Sequence, residues 1–412
     1  MPLAPEIASL PNIDASACFA LLDDAYNTPS VSRLYTDLSE VLVCPDADAW
    51  PNFFNATQRA LEFGLHAVAL LSYETGAQLQ RISQHENIDT ASRMLLFKRC
   101  DTLTQEQLSA WLDLHDPKEI TGIAGVQASV DEFAFSQAIA RVRDYISAGD
   151  TYQVNYTYRL HFDVYGSPIS LYHRLRQRQP VPYGALIRLP DGEAILSLSP
   201  ELFIRHQSGR LLARPMKGTA AATGNDSTDQ QLASALSHDT KNRAENVMIV
   251  DLLRNDLGRI AETGSVKVPH LFDVNRFSSV LQMTSTIEAK LRTDLCLAQI
   301  MTALFPCGSI TGAPKHRTME IIEELETEAR GLYTGAIGWF DAPTVPNGIG
   351  DFCLSVPIRT LNLEPPNSVG MRSGVMGVGA GIVYDSQAHE EYAECQLKAK
   401  FLTGLTDRKS VV

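Results

Sequence analysis

The chain has 412 residues, a formal net charge of -13, 44% hydrophobic residues and 20% charged residues. That length exceeds one ordinary core, so two domains or one large layered domain are expected. The acidic balance argues against a nucleic-acid partner but not against a small anion met by local positive charge or a metal ion. No apolar run approaches the roughly 20 residues of a membrane helix, and the start, Met1-Pro2-Leu3-Ala4-Pro5-Glu6, lacks a basic n-region, so a cytoplasmic protein without membrane contact is expected.

Seven cysteines are scattered along the chain with no Cys-x-x-Cys pair and no histidine at zinc-ligand spacing, so they read as reduced, mostly buried thiols. The first lysine is Lys98, which sets the opening quarter apart. That quarter reads as a helix near Ala56–Leu65 and a strand over Ala67–Tyr73. After a loop-rich passage from Asp113 to Lys118, a boundary is expected between 112 and 128, separating an N-terminal region (1–120) from a second region (128–405).

Phe135, Ile139, Val142 and Ile146 recur at helical spacing and Gly149 closes the run, which predicts an amphipathic helix over 131–148. From Tyr152 to Phe162 apolar and polar residues alternate, a strand whose polar face, headed by Gln153 and Asn155, is either a pocket wall or a solvated surface. Ala194–Arg214 reads as short strands with a turn at Ser208-Gly209, so Glu201 and Lys217 bracket a hairpin. A lysine whose pKa burial lowers can become a nucleophile, and a carboxyl nearby can be its acid partner. The bland alternative is an edge-strand glutamate and a solvated turn lysine, and local pattern alone favours it.

A helix over 239–257 starts at Asp239 as N-cap. On it Glu245 shares a face with Ile249 and Leu252, and an inward carboxylate needs a cation or several donors. A helix over 314–326 has Pro314 in its first turn, which leaves backbone donors free for an anion. Strands near 333–340, 352–361 and 374–384 precede a closing helix over 387–403. That helix carries Glu390, Glu391 and Glu394 beside an apolar side of Ala393, Leu397 and Phe401, so Glu394 is expected to face inward with Glu391 next to it. A first-turn glutamate cluster is more often solvated and merely favourable to the dipole. If Glu245 and Glu394 converge, a cation must lie between them, and Mg²⁺ fits best.

Gly377-Val378-Gly379-Ala380-Gly381 leads into a strand, so it is no dinucleotide fingerprint but a backbone that must come close to a ligand or another strand. Gly308-Ser309-Ile310-Thr311-Gly312-Ala313-Pro314-Lys315 lacks the Gly-Lys-Ser/Thr ending of a P-loop. No Ser-His-Asp spacing is visible and Cys307 lacks the glycines of an elbow, so any ammonia from glutamine must come from another chain.

Taken in order, Gly149–Thr157, Ser199-Pro200-Glu201-Leu202-Phe203, Arg214–Thr219, Lys241–Asn246, Val250–Asp256, Gly308–Lys315, Gly379–Val383 and Glu391-Tyr392-Ala393-Glu394 resemble the chorismate-utilising enzymes. The resemblance is strong over about 130–404, and Leu71–Gly76 extends it more weakly upstream. It implies an α+β fold, two antiparallel β-sheets packed as a sandwich with helices outside and the site in a cleft between the halves. It also implies Mg²⁺ on Glu245 and Glu394 with Glu391 beside them. Substrate binding would fall to Thr311, Gly312, Tyr333, Arg359, Gly379, Ala380, Gly381 and Lys398. Relatives that add water carry a base lysine where this chain has Gln153, and anthranilate-forming relatives carry alanine where it has Lys217. Several relatives have a lyase histidine where it has Gln282. The resemblance therefore implies amination of chorismate at C4, on the route to 4-aminobenzoate and folate, with Glu201 as acid and Lys217 as nucleophile. Ammonia would come from a glutaminase partner subunit. Anthranilate formation is the alternative. A non-catalytic chorismate- or tryptophan-binding module is a third reading. The family's tryptophan segment is matched loosely by Ser30–Tyr35, so tryptophan is a further expected ligand of the N-terminal region.

Overall fold

A computed structural model describes residues 11–14, 17–82, 90–277, 280–345 and 348–404. The first part runs β1 (Phe19–Asp23), β2 (Ser32–Cys44), α1 (Trp50–Glu62), β3 (His66–Leu71), α2 (Tyr73–Leu79), β4 (Ser92–Leu103), α3 (Gln105–His115) and β5 (Gly122–Ala128). The middle runs α4 (Glu132–Ala148), β6 (Gln153–Tyr165), α5 (Pro168–Arg178), β7 (Tyr183–Arg188), β8 (Ala194–Ser199), β9 (Leu202–Gln207), β10 (Arg210–Arg214), β11 (Met216–Ala221), α6 (Asp226–His238) and α7 (Thr240–Gly258). The last part runs β12 (Lys267–Phe277), β13 (Val280–Lys290), α8 (Leu297–Leu304), β14 (Gly312–Ala313), α9 (Lys315–Leu325), β15 (Ala336–Phe340), β16 (Phe352–Ser355), β17 (Thr360–Leu363), β18 (Arg372–Ile382) and α10 (Ala388–Thr403).

Local chemistry explains the boundaries. The Asp131 side chain accepts from the Ala134 amide at the start of α4, and Gly149 in the left-handed region ends it. Asp239 caps α7 in the same way through the Asn242 amide. Ser208 and Gly209 both have positive φ, the pairing that a two-residue hairpin between β9 and β10 requires. On β6, Val154, Tyr156, Tyr158, Leu160 and Phe162 are buried on one face, as the alternation predicts. Tyr152 stays outside the strand and exposed.

Among the described residues every strand pairing is antiparallel. One run goes β5–β6–β18–β17–β8–β7, with β14 also on β6. The other goes β3–β15–β16–β9–β10–β13, with β11 and β12 on β13. Pairings of β7 with β1, β1 with β2, β2 with β4 and β4 with β3 join them, so the two expected sheets are the two ends of one continuous sheet. Strands from before residue 112 and after residue 128 therefore share hydrogen bonds. The main core draws on both ends, from Phe19 and Trp50 through Phe203 and Phe305 to Leu402.

The consecutive strands β8 and β9 belong to opposite runs, so the chain crosses between them at Pro200-Glu201. It crosses back between β16 and β17, which splits the strand expected over 352–361. The two crossings are tied together. The Val356 amide donates to the Glu201 carbonyl (3.1 Å), the Leu198 amide donates to the Arg359 carbonyl (3.1 Å), and the Ser199 hydroxyl donates to the Val356 carbonyl (2.5 Å). Two residues singled out from the sequence, Glu201 and Arg359, thus sit where the halves exchange chain.

Candidate active site

Lys217 lies on a strand, not in a turn. Met216 pairs with Thr284 and Thr219 with Gln282, so β11 carries one extra residue between them, a bulge at Lys217-Gly218. Gly218 has φ 87°, and a Cβ there would lie 2.9 Å from Asn242 Oδ1 on α7. Only glycine fits so tightly against the helix in that conformation.

The bulge aims Lys217 into the cleft. A Cβ added at Gly381 would stand 3.2 Å from Lys217 Nζ and 2.3 Å from Gln153 Nε2, so the ammonium, the amide and the bare backbone of β18 meet at one point. Burial pushes the Lys217 pKa below its ordinary value, while Glu245 and Glu201 pull the other way. Gln153 is buried, and neither its Nε2 nor its Oε1 has a hydrogen-bond partner. Two unpartnered polar atoms of one amide inside a protein are costly unless a ligand meets them.

Glu201 is 5% exposed and accepts a hydrogen bond from Ser309 Oγ at 2.6 Å. Burial raises its pKa, against the Ser309 hydroxyl, the Lys217 charge and the Met216 amide. A carboxyl whose pKa burial raises beside an amine whose pKa burial lowers is the direction of shift that general-acid and nucleophilic chemistry needs.

Three carboxylates from two helices form the opposite wall. Glu245 on α7 is partly buried, and burial raises its pKa, with Lys217 and Lys241 opposing and the charges of Glu391 and Glu394 adding to the rise. Glu391 on α10 is buried, accepts from Ser386 Oγ (2.6 Å) and is raised by burial. Burial alone would raise Glu394 as well, but Lys398, 2.8 Å away, holds it below the usual carboxylate range. The face assignment on α10 differs from expectation. The residues packed inward are Glu391, Cys395, Ala399 and Leu402, while Leu397 is exposed and Glu394 opens onto the cleft. The Phe401 side chain lies outside the described residues.

Among the described residues no three His, Cys, Asp or Glu side chains form a ready-made metal cage. The donor chemistry still fits a hard cation. Glu245, Glu391 and Glu394 repel one another with only lysines to balance them, and Mg²⁺ takes one or two carboxylates, leaving positions for water and ligand oxygens.

Arg359 has φ 54° and a guanidinium whose Nη1 has no hydrogen-bond partner. Burial alone lowers its pKa, to about 10. Among the described residues no carboxylate pairs with it, which leaves it suited to meet an anion. Tyr333 is buried with a raised pKa, and its ring lies against Gly377 and, at 5.4 Å, beneath the Arg159 guanidinium. Thr311 is fully buried and donates to the Gly308 carbonyl, and Gly312, at φ 143°, lies against the Gln153 carbonyl. Lys398 also donates to the Gly379 carbonyl (2.8 Å), and Ala380 is buried between Gly379 and Gly381. Gln282 Oε1 is buried without a partner, across from Thr219.

Sequence reasoning missed Ser309 as a partner of Glu201 and Lys241 as a countercharge to the carboxylates. The first has only its place in the Gly308–Lys315 run as a signal, and the second lies in an exposed first turn of α7 with no local pattern that marks it. The polar face of β6 divides. Gln153 lines the cleft, whereas Thr157 and Arg159 turn into a buried network around Glu326.

A cavity of about 320 Å³ lies elsewhere, lined by Val31, Arg33, Pro182, Tyr183, Arg205 and Trp339 among others. It holds none of the cleft residues, and the chemistry argues for the cleft as the reaction site. Each of the seven cysteines is free. No described helix is long and apolar enough to cross a membrane.

Comparison with known proteins agrees with this fold. Aminodeoxychorismate synthase component 1 of Salmonella typhimurium is 37% identical over 335 residues, 81% of this chain and 67% of the relative. That of Bacillus subtilis is 40% identical over 272 residues, 66% of this chain and 55% of the relative, so the matches span between about half and two thirds of these relatives. The crystal structure of anthranilate synthase component I from Streptococcus pneumoniae superposes with a TM-score of 0.74 at 27% identity, covering 98% of this chain and 95% of that one. Residues 25–404 match the chorismate binding enzymes, and the chain belongs to that family.

Proposed function

We propose that this chain is an aminodeoxychorismate synthase component 1, which replaces the C4 hydroxyl of chorismate by an amino group. The observation that carries the reading is the buried corner in which Glu201, Lys217, Gln153 and Gly381 meet. A lysine stands at the position that anthranilate-forming relatives fill with alanine, and an amide stands where water-adding relatives have a base lysine.

Chorismate carries two carboxylates. Arg359, with Tyr333 and the backbone of Gly379, Ala380 and Gly381, would take one of them. The other would face Glu245, Glu391 and Glu394, and Mg²⁺ bound there supplies the positive charge that lets a carboxylate approach them. Thr311 and Gly312 would border the ring, and Lys398 would trade Glu394 for substrate oxygen.

Glu201 gives its proton to the departing C4 hydroxyl, which leaves as water. Lys217 Nζ bonds to C2 as the ring double bonds shift. Ammonia then bonds to C4, the C2–N bond breaks, and one proton from the new ammonium is released. Each exchange is intramolecular until ammonia enters, which is where prebound groups gain most. The component 1 relatives imply a separate glutaminase as ammonia source, and the cavity lined by Val31 and Arg33 is the candidate seat for tryptophan.

Purified chain incubated with chorismate, Mg²⁺ and ammonium, coupled to a lyase that releases 4-aminobenzoate, is expected to form that product without anthranilate fluorescence. Anthranilate as the main product would instead establish the rival reading. Repeating the assay with a glutaminase subunit and glutamine, and with added tryptophan, checks both partner assignments.

A further inference from the structure

The loop between α8 and α9 brings Cys307 and Ser309 up to Glu201, at the crossing between β8 and β9. Cys307 Sγ lies 3.2 Å from Ser309 Oγ, and Ser309 Oγ donates to Glu201 Oε1 at 2.6 Å. All three residues are buried. Because the Ser309 hydroxyl spends its proton on the carboxyl, the hydrogen bond from Cys307 to Ser309 must run from thiol to hydroxyl oxygen. The chain of donors therefore has one direction, Cys307 to Ser309 to Glu201.

The loop that carries this chain is fixed from two sides. Lys315 Nζ donates to Asp256 on α7 (2.5 Å) and to the Pro306 carbonyl (3.0 Å), and Arg330 Nη1 donates to the Ile310 carbonyl (2.9 Å). Gly308 is pressed against Leu252 of α7. Ser309 thus has little freedom to turn its hydroxyl away from Glu201.

We propose that Ser309 is the positioning residue for the acid step, its hydroxyl occupying Glu201 Oε1 so that the transferable proton rides on Oε2, the oxygen left for the substrate. A carboxyl free to rotate would share the proton between both oxygens and present the wrong one part of the time. The donor also stabilises the carboxylate left behind after transfer. The other charged or titratable groups facing Glu201 are Lys217, from β11, and the Cys307 thiol, which burial and then the Glu201 charge push up to about 12, so it stays a neutral donor.

The proposal rests on Glu201 acting as an acid on chorismate, so it is tested both with and without turnover. Infrared difference titration of the substrate-free protein, with Glu201→Gln as blank, reads the Glu201 carboxyl directly. Ser309→Ala is expected to move that titration to higher pH, because a donor that favours the carboxylate is gone. In the coupled assay it is expected to lower kcat about tenfold with KM changed less than twofold, since orientation alone is lost. Ser309→Thr, which keeps the hydroxyl, restores both. An unchanged carboxyl titration in Ser309→Ala overturns the proposal, as does a fall in kcat that Ser309→Thr fails to restore while the variant remains folded. If no variant, wild type included, acts on chorismate but the carboxyl titration still shifts, the functional reading fails and the hydrogen-bond assignment stands.

Discussion

At the scale of single residues, the cleft shifts two pKa values away from their ordinary values. Glu201 is raised and Lys217 lowered, burial being the first cause of each. The acid works only while protonated, so its contribution is lost as pH rises through the Glu201 pKa. The amine works only while neutral, so its contribution is gained as pH rises through the Lys217 pKa. A bell-shaped pH profile of kcat is therefore expected. Glu201→Gln should abolish the alkaline limb and lower kcat by about 10² or more. Lys217→Ala should abolish amination, and full retention of C4 amination with ammonium in that variant would remove its covalent role. Arg359 shows the same cost from the other side. Its buried guanidinium destabilises the empty fold, so Arg359→Met is expected to raise the unfolding free energy by about 1–2 kcal/mol, seen as a higher urea midpoint, while raising KM for chorismate at least tenfold. A lower midpoint together with unchanged KM would show that Arg359 is structural.

At the scale of elements, the bulge in β11 and the helix behind it position Lys217, the proposed nucleophile. Gly218→Ala forces a side chain into the left-handed region and against Asn242, at a cost of about 1–2 kcal/mol, and should turn Lys217 out of the cleft. Urea denaturation and kcat on the same preparation check this, and wild-type kcat in the variant would mean that the bulge does not set the lysine. The sequence made some of this legible and hid the rest. Asp239 announces its helix because a cap needs a short polar side chain, the spacing of Phe135, Ile139, Val142 and Ile146 up to Gly149 announces α4, and β6 announces itself by strict alternation. The bulge is silent, because Gly218 alone does not reveal that Met216 and Thr219 pair two residues apart on β13. On α10 two stripes compete, and the larger residues mislead. The helix packs on the glycine-rich β18, so the small side chains of Cys395 and Ala399 face it and Leu397 is left outside. Glu201 and Arg359 were visible as residues, but their common place at the strand crossings depends on pairings between distant segments that no local pattern encodes.

At the scale of the whole molecule, a buried charge network joins the N-terminal strands to the catalytic cleft. Glu326 accepts from the Thr157 amide (2.8 Å) and from Arg330 (2.6 Å), and Arg330 also donates to the Asn155 carbonyl (2.7 Å), two residues beyond Gln153. Glu74, on α2, accepts from the backbone amides of Arg330 (2.7 Å) and Gly331 (3.0 Å), so a carboxyl from the opening quarter of the chain holds the segment that carries Arg330 and Tyr333. Burial lifts the Glu74 pKa from 4.5 to about 7, outweighing two amides, its own and that of Arg330, and the charges of Arg159 and Arg330. A carboxyl raised in the folded state binds a proton there that the unfolded chain has already released. Its contribution to stability is thus fully present below pH 4.5 and is lost as pH rises through about 7, a change of about 3 kcal/mol at most. Glu74→Gln cannot titrate. The stability difference, wild type minus Glu74→Gln, measured by urea denaturation between pH 5 and pH 8, should therefore shrink steadily as pH rises. A difference that grows with pH would mean that the two amides and two arginines, not burial, govern this carboxyl, and that the tie between the N-terminal strands and the cleft is strongest when Glu74 is ionised.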